Sequence, residues 1–146
     1  FSIIADLIRN TDKTVAVAGS EKIDYLNFID SPDDAWLNHI YNRCKFVVNT
    51  SSFEGLGLSP IEGVICGAFP IVMNDNKVIH ELGLEPFSCD PNWESIVAKI
   101  DEITKNVYFY EAIRSGLAKI FAEKFNILTI TKKILSIYKD VREKQS

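Results

Sequence analysis

Two glutamates, Glu54 and Glu62, stand on either side of a short glycine-bearing segment, with seven residues between them. The segment contains Gly55 and Gly57, which let the backbone approach a ligand without an intervening Cβ atom. A short helix is predicted after this loop, and its free N-terminal N–H groups favour an anion in front of them. A phosphate-binding loop flanked by two carboxylates suggests a ligand with both phosphates and hydroxyls, such as a nucleotide sugar.

The loop is expected to lie between two strands, because apolar runs stand on both sides of it, at 46–48 and 69–73. Continuous apolar runs of this length are typical of parallel strands that are buried on both faces. Strands that alternate with helices predict one α/β domain with a mainly parallel sheet. The other predicted elements are strands at 15–18, 25–29 and 86–88 and helices at 1–9, 31–44, 78–82, 90–103, 108–121 and 127–141.

Helix starts and core positions are predicted in the same way. Ser31 and Asp90 each precede a proline, which places them as N-caps with proline at the first helical position. Helical spacing assigns the following apolar side chains to the core: Trp36, Leu37 and Ile40 in one helix, Trp93, Ile96, Val97, Ile100 and Ile103 in a second, Phe109, Ile113, Leu117 and Phe121 in a third, and Ile127, Ile130, Ile134, Ile137 and Val141 in the last.

Both glutamates also have a purely structural interpretation. Ser59 and Glu62 have the spacing of a capping box, in which Glu62 would accept a hydrogen bond from the N-cap amide. Glu54 stands at a predicted loop tip after a strand, where an acidic side chain is often only solvated. From residue types and spacing alone, the structural and the ligand-binding interpretations of these carboxylates have similar weight.

Composition and charge narrow the class of protein. The chain has 146 residues, of which 47% are hydrophobic and 25% charged, as expected for one globular domain with its own core. A net charge of −4 argues against a nucleic-acid partner. No apolar run reaches the length of about 20 residues that a transmembrane helix needs. Because the chain opens at Phe1 without an initiator Met, we expect it to be a fragment of a longer protein.

The cysteines and histidines give no sign of a metal site. Cys44, Cys66 and Cys89 are widely spaced and odd in number, which favours reduced thiols in a cytoplasmic protein. The two histidines, His39 and His80, are far from any pair of cysteines. A zinc site needs clustered ligands, so no metal is expected.

The segment 54–62, together with Gly67 and Pro70, resembles the E-x7-E signature of retaining glycosyltransferases with the GT-B fold, family GT4. A weaker resemblance extends from about Val15 to the last predicted helix. It implies a Rossmann-like, mainly parallel sheet with helices on both faces, which forms the C-terminal, donor-binding half of such an enzyme. The parent enzyme would transfer a sugar from a UDP-, GDP- or ADP-linked donor to a glycan, lipid or small-molecule acceptor, with retention of anomeric configuration.

The resemblance also implies roles for individual residues. Glu54 would face the donor sugar as the catalytic residue, and Glu62 would bind the ribose hydroxyls. The backbone amides after the first glutamate would contact sugar and phosphate. No metal or other cofactor is implied, and the parent protein would be cytoplasmic or peripheral at a membrane. The residues that would supply those backbone amides are Gly55, Leu56, Gly57 and Leu58.

Parts of the family pattern are missing or altered. The N-terminal acceptor-binding domain and the basic Arg and Lys pair that holds the donor diphosphate are absent, so the isolated chain is expected to bind nucleotide weakly and to transfer no sugar. Gly63 replaces an alanine, and Asp75-Asn76 replaces a glycine pair. These departures leave open a non-catalytic, GT-B-like module that pairs with another chain. A flavodoxin-like phosphoacceptor domain is disfavoured, because no acidic cluster follows the first predicted strand.

Overall fold

The computed structural model describes residues 3, 6, 9–10, 16–19, 27–30, 33–52 and 55–143 of the chain. Most of the predicted helix at 1–9 lies outside these residues. The three positions of it that are described, Ile3, Asp6 and Arg9, are helical.

The described strands pair in parallel, as the sequence predicts. β1 (Ala16–Gly19) pairs with β2 (Asn27–Asp30). A three-stranded sheet has the order β3 (Phe46–Asn49), β4 (Phe69–Met73) and β5 (Ser88–Cys89). Both pairings within this sheet are parallel, so the carboxyl ends of its strands lie at one edge. The edge strand is β5 rather than the predicted 86–88, because the preceding residues form a 3₁₀ turn at Glu85–Phe87.

Helices flank the three-stranded sheet and complete an α/β fold. The helix at Leu58–Ile65 packs on β3, on β4 and on the helix at Val107–Lys124. The helix at Trp93–Lys105 packs on β4 and β5. All five residues of β4 are buried, which explains its uninterrupted apolar sequence. The helices are α1 (Asp34–Tyr41), α2 (Leu58–Ile65), α3 (Val78–Leu82), α4 (Trp93–Lys105), α5 (Val107–Lys124) and α6 (Ile127–Glu143).

Helix α2 approaches β3 unusually closely at Gly63. A Cβ atom on Gly63 would lie 2.7 Å from Cγ2 and 3.0 Å from Cβ of Val47. Interiors are close-packed, so a methyl group at this position has no room unless the strand or the helix moves. The glycine that departs from the family pattern therefore matches a β-branched neighbour on the adjacent strand.

Gly63→Ala is expected to destabilise the domain by about 1–3 kcal/mol through this overlap, although alanine is the better helix former by about 1 kcal/mol. Val47→Ala removes the two Cγ atoms but keeps the Cβ atom at 3.0 Å, so it should reduce the cost of alanine at position 63. Denaturant unfolding of the two single variants and the double variant measures the coupling. A Gly63→Ala protein as stable as wild type would contradict the close approach.

Arg114 fixes the end of α2 on α5. Its guanidinium donates at 3.1 Å to the carbonyl oxygen of Val64 in the last turn of α2, which also accepts from the N–H of Gly67. Arg114 also donates through Nε to Glu111 at 2.8 Å. Hydrogen bonding within this ion pair lowers the pKa of Glu111 and raises that of Arg114. The contact helps to set the position of α2, which begins at the loop after β3.

Two helix starts differ from the sequence predictions. Helix α1 is capped by Asp33 rather than by Ser31, which lies outside the described residues. Helix α4 is capped by Asn92 rather than by Asp90. Each capping side chain accepts a hydrogen bond at 2.8 Å from the backbone N–H three residues later. In each case the N-cap is the residue directly before the first helical residue, because a capping side chain reaches only the N–H groups of the first turn.

Several side chains that were predicted to be buried are exposed. Trp36 is 55% exposed, Phe109 63% and Ile127 71%. The buried aromatic residue at the start of α5 is Tyr110 instead, whose ring packs 5.5 Å from that of Phe87. No residue of α1 is buried, and neither is any side chain of α6 through residue 138.

The other predictions for the core are confirmed in the centre of the domain. The inner face of α4 is buried at Ile96, Ile100 and Ile103, and Phe121 of α5 is 1% exposed. Helical spacing shows which side chains share a face, but only a neighbouring element buries that face. In α1 and α6, the predictions were wrong for Trp36, Ile127, Ile134 and Ile137, which are exposed, whereas Leu37, Ile40 and Ile130 are half-buried.

Candidate functional site

The loops after β3 and β4 lie side by side at one edge of the sheet. The two strands are parallel neighbours, with Asn49 opposite Val72, so their carboxyl ends meet there. The loop at 50–57 leads into α2, and the loop at 74–77 leads into α3. Ligands of open parallel sheets bind outside this edge. These two loops and the start of α2 are therefore the candidate site.

Gly57 forms the entry to α2 and is buried. It adopts φ +69° and ψ 59°, in the left-handed region, and serves as the N-cap without a capping side chain. A Cβ atom here would lie 3.6 Å from Cγ of Pro60 and 4.0 Å from Cγ1 of Val78, which are ordinary contacts. Glycine is therefore required at this position by the backbone conformation rather than by lack of space.

The first turn of α2 keeps hydrogen-bond donors for a partner outside the helix. Gly57 cannot cap it, and the structure describes no other side chain that does. The third helical residue, Pro60, has no N–H, so the free donors of this turn are the amides of Leu58 and Ser59. An uncapped helix start with its partial positive charge favours an anion at this place.

The capping-box interpretation of Glu62 is wrong. A capping box places serine at the N-cap and glutamate three residues later. Here Gly57 is the N-cap, so Ser59 is the second residue of the helix and Glu62 the fifth. Glu62 therefore lies beyond the position from which a side chain can reach back to the N-cap amide.

Glu62 lies next to the end of α1. The pKa of the Tyr41 phenol is raised, first by burial and then by the negative charge of Glu62, while a hydrogen bond with Ser59 lowers it. A hydrogen bond with the Glu62 carboxylate raises the Tyr41 pKa further. Burial and then the charge of Glu62 also raise the pKa of Cys66. Tyr41, Glu62 and Cys66 are half-buried, and with the exposed Ser59 they form one cluster on the face of α2 that is turned toward α1. A carboxylate with two oxygens in such a place can accept from two adjacent hydroxyls.

The other predicted site residues lie along the same loop. Gly55 and Leu56 are exposed, as is Leu58 at the first position of α2. Glu54 and its neighbour Phe53 lie outside the described residues. The catalytic role of Glu54 and the ligand contacts of the loop amides remain predictions.

Two buried asparagines that the sequence did not single out as site residues hold this loop. Asn49 is 8% exposed and Asn76 is 5% exposed. Oδ1 of Asn49 accepts from the N–H of Ser51 at 2.8 Å, and Nδ2 of Asn76 donates to the carbonyl oxygen of Ser51 at 2.9 Å. The one sequence signal for this role is that Asn76 has an amide side chain where the family pattern has glycine.

The charged residues of the second loop point to solvent. Asp75 and Lys77 are both exposed, on either side of the buried Asn76. A small cavity lies between the two loops and is lined by polar and apolar atoms of Asn49, Gly57, Pro60, Val72, Asn76 and Val78, among others. The charges of the second loop are thus outside the packed region that joins it to the first.

A wider, open groove lies elsewhere, between the end of β5 and α4. Its charged and amide side chains are partnered with one another. Nζ of Lys99 lies 2.7 Å from a carboxylate oxygen of Glu102, and Asn74 donates to Asp90. This groove therefore has less free hydrogen-bonding capacity than the start of α2.

The described residues hold no cluster of three or more His, Cys, Asp or Glu side chains with which a metal ion could be bound. All three cysteines are free and half-buried. Burial is the main cause that raises their thiol pKa values, to about 11 for Cys89. In the part of the chain that the structure covers, every helix is too short or too polar to cross a membrane.

Comparison with known proteins places this geometry in context. Residues 11–119 match the family described as Glycosyl transferases group 1. Two curated proteins, both described as Serotype-specific mannosyltransferase WbdA from Escherichia coli, are 29% identical to the chain over 82 residues. The matched stretch is 55% of this chain and 10% of each relative, so the chain spans only a small part of their length. Comparison with solved structures gave no match.

Proposed function

Since the chain belongs to the group 1 glycosyl transferases, we propose that its candidate site binds the nucleotide-diphosphate sugar that serves as donor in glycosyl transfer. The observation that carries this proposal is that no described side chain caps the start of α2. This helix start lies at the carboxyl end of the sheet and directly follows Gly57, which has a left-handed backbone conformation. The amides of Leu58 and Ser59 are donors suited to a diphosphate.

The start of α2 would also contribute to the chemistry. When the bond between sugar and diphosphate breaks, negative charge develops on the diphosphate leaving group. Preorganised backbone donors and a helix N-terminus stabilise such charge without reorganisation during the reaction. The resemblance implies no metal and no other cofactor, so in this proposal the amides share that task with cationic side chains.

Glu62 is the proposed ribose ligand. It lies four residues after Leu58 on the same helix, about 6 Å along the helix axis. A ribose attached to a diphosphate at the helix start would lie within reach of a carboxylate at this distance along the helix axis. The structure supports this assignment by excluding the capping role that competed with it. Glu54 is the proposed catalytic residue, as the resemblance implies.

We further propose that the chain is the C-terminal, donor-binding domain of a retaining GT-B enzyme of family GT4. The support is the resemblance of residues 54–62, Gly67 and Pro70 to the signature of that family. The acceptor-binding domain would belong to another part of the parent protein. Because two similar proteins are named mannosyltransferases, a mannosyl donor is the first to test. The three free thiols fit a parent protein in the cytoplasm.

A module that pairs with another chain is the second candidate function. The observation that favours it is apolar surface on α5 and α6. Tyr108 is 91% exposed and Leu128 68% exposed, and large apolar side chains that are exposed together are typical of protein–protein contacts. Such a module would not depend on the carboxylates of the candidate site, whereas a donor-binding domain would.

Ligand-observed NMR with UDP, GDP and ADP tests the proposed function. We expect one nucleotide to bind selectively to this chain and to the full-length parent, and Glu62→Ala to abolish that binding. Glu81→Ala is the matched control, because Glu81 is an exposed carboxylate on the neighbouring helix α3. If neither protein binds any of the three nucleotides, the proposed function fails.

A further inference from the structure

We infer that Asn76 is a positioning residue, which fixes the loop between β3 and α2 in the conformation that binds the donor nucleotide. This inference rests on the proposed function and deepens it. Asn76 lies in the loop after β4, 25 residues from the backbone group of Ser51 that it holds. It therefore joins two loops that the sequence separates by a whole helix and strand.

The side-chain amide of Asn76 uses both of its ends. Nδ2 donates to the carbonyl oxygen of Ser51 at 2.9 Å, and Oδ1 accepts from the N–H of Val78 at 3.0 Å. The side chain is 5% exposed, so water does not readily replace either partner. Val78 is the first residue of α3, and the bond therefore also fixes the start of that helix.

Ser51 is held from the other side as well. Its N–H donates to Oδ1 of Asn49 at 2.8 Å. Both backbone groups of Ser51 are thus bonded to side chains of buried asparagines, one at the end of β3 and one in the loop after β4. A backbone unit held at its N–H and its carbonyl has little freedom to rotate, so the first residues of the loop start from a fixed place.

The other end of the loop, at Gly57, lies next to Val78 at the start of α3. A Cβ atom on Gly57 would lie 4.0 Å from Cγ1 of Val78, which places the entry of α2 against the residue whose N–H Asn76 binds. Asn76 consequently ties the beginning of the loop, at Ser51, to the element that supports its end, at Gly57. Fixing a binding loop before the ligand arrives removes an ordering cost from binding.

The two hydrogen bonds of Asn76 require a side chain that both donates and accepts, as an amide does. An aspartate at position 76 could accept from Val78 but could not donate to Ser51, and it would place a carboxylate against a carbonyl oxygen in a buried place. An alanine or a glycine could make neither bond. This chain therefore holds the loop by a side-chain contact that glycine, the residue of the family pattern, cannot provide.

The experiment measures nucleotide affinity and thermal stability of the same variants. Asn76→Ala is compared with Asn74→Ala, an exposed asparagine in the same loop, and with Ile103→Val, a buried residue of α4 whose loss of one methyl group lowers stability elsewhere. The probe is whichever of UDP, GDP and ADP the wild type binds, titrated by calorimetry against the full chain.

Asn76→Ala is expected to weaken nucleotide binding by about tenfold or more, as for the loss of buried hydrogen bonds that hold a site. Asn74→Ala and Ile103→Val should bind within about twofold of wild type. Wild-type affinity in Asn76→Ala would overturn the inference and leave the proposed function standing. Equal weakening in Ile103→Val at a matched melting temperature would overturn it too, since the effect would then be general destabilisation. If the wild type binds no nucleotide, the proposed function fails and the inference with it.

Discussion

Glu62→Gln in the full-length parent is expected to reduce sugar transfer by about 100-fold or more while leaving the fold intact. Glutamine has nearly the same shape as glutamate, and the half-buried position on α2 accommodates it. The change removes the negative charge and one of the two acceptors that would bind the ribose hydroxyls. Hydrogen bonds to charged groups contribute more than neutral ones, so two weakened bonds account for a loss of this size.

Steady-state transfer from the donor that the nucleotide screen selects is the measurement for this prediction. Glu81→Gln is the control, because it makes the same chemical change on the exposed face of α3. Glu54→Gln is expected to lower transfer at least as strongly, since the proposed role of Glu54 is at the sugar itself. Transfer at the wild-type rate by both Glu54→Gln and Glu62→Gln would favour the assembly module over the enzyme.

Phe87→Ala is expected to lower the free energy of unfolding by about 3–5 kcal/mol. Phe87 is fully buried in the 3₁₀ turn before β5, and its ring lies 5.5 Å from that of Tyr110. Tyr110 in turn donates to Glu102, which joins α4 and α5. Removing the phenyl ring leaves a cavity at the point where the sheet and these two helices meet.

Phe109→Ala is the matched control for this prediction. Its ring also contacts Tyr110, at 5.3 Å, but the side chain is 63% exposed. We expect a loss of about 0.5 kcal/mol or less, and denaturant unfolding of both variants measures the difference. A larger loss in Phe109→Ala than in Phe87→Ala would restore the assignment of Phe109 to the core that the sequence suggested.

The central strands and the helix after them could be predicted from the sequence. β4 is the apolar run 69–73, and α3 spans 78–82 as expected. These elements were predictable because their signals are local. A buried parallel strand is apolar throughout, and α3 ends where Gly83 adopts φ +69°, a conformation that glycine takes readily.

What could not be predicted depends on contacts between distant parts of the chain. The burial of Asn76 follows from a backbone carbonyl 25 residues away, which no local pattern records. Tyr110 rather than Phe109 is buried because Phe87 and Glu102 lie on that side of α5. In the candidate site, the left-handed conformation of Gly57 agrees with its residue type, whereas only the position at which α2 begins excludes a capping role for Glu62.

The central claim is that the start of α2 binds the diphosphate of the donor. Amide chemical-shift mapping tests it most directly, with the isotopically labelled chain and the nucleoside diphosphate that the screen selects. We expect the largest shifts at Gly57, Leu58 and Ser59. Shifts confined to the groove between β5 and α4, at Ser88 and Lys99, would contradict it.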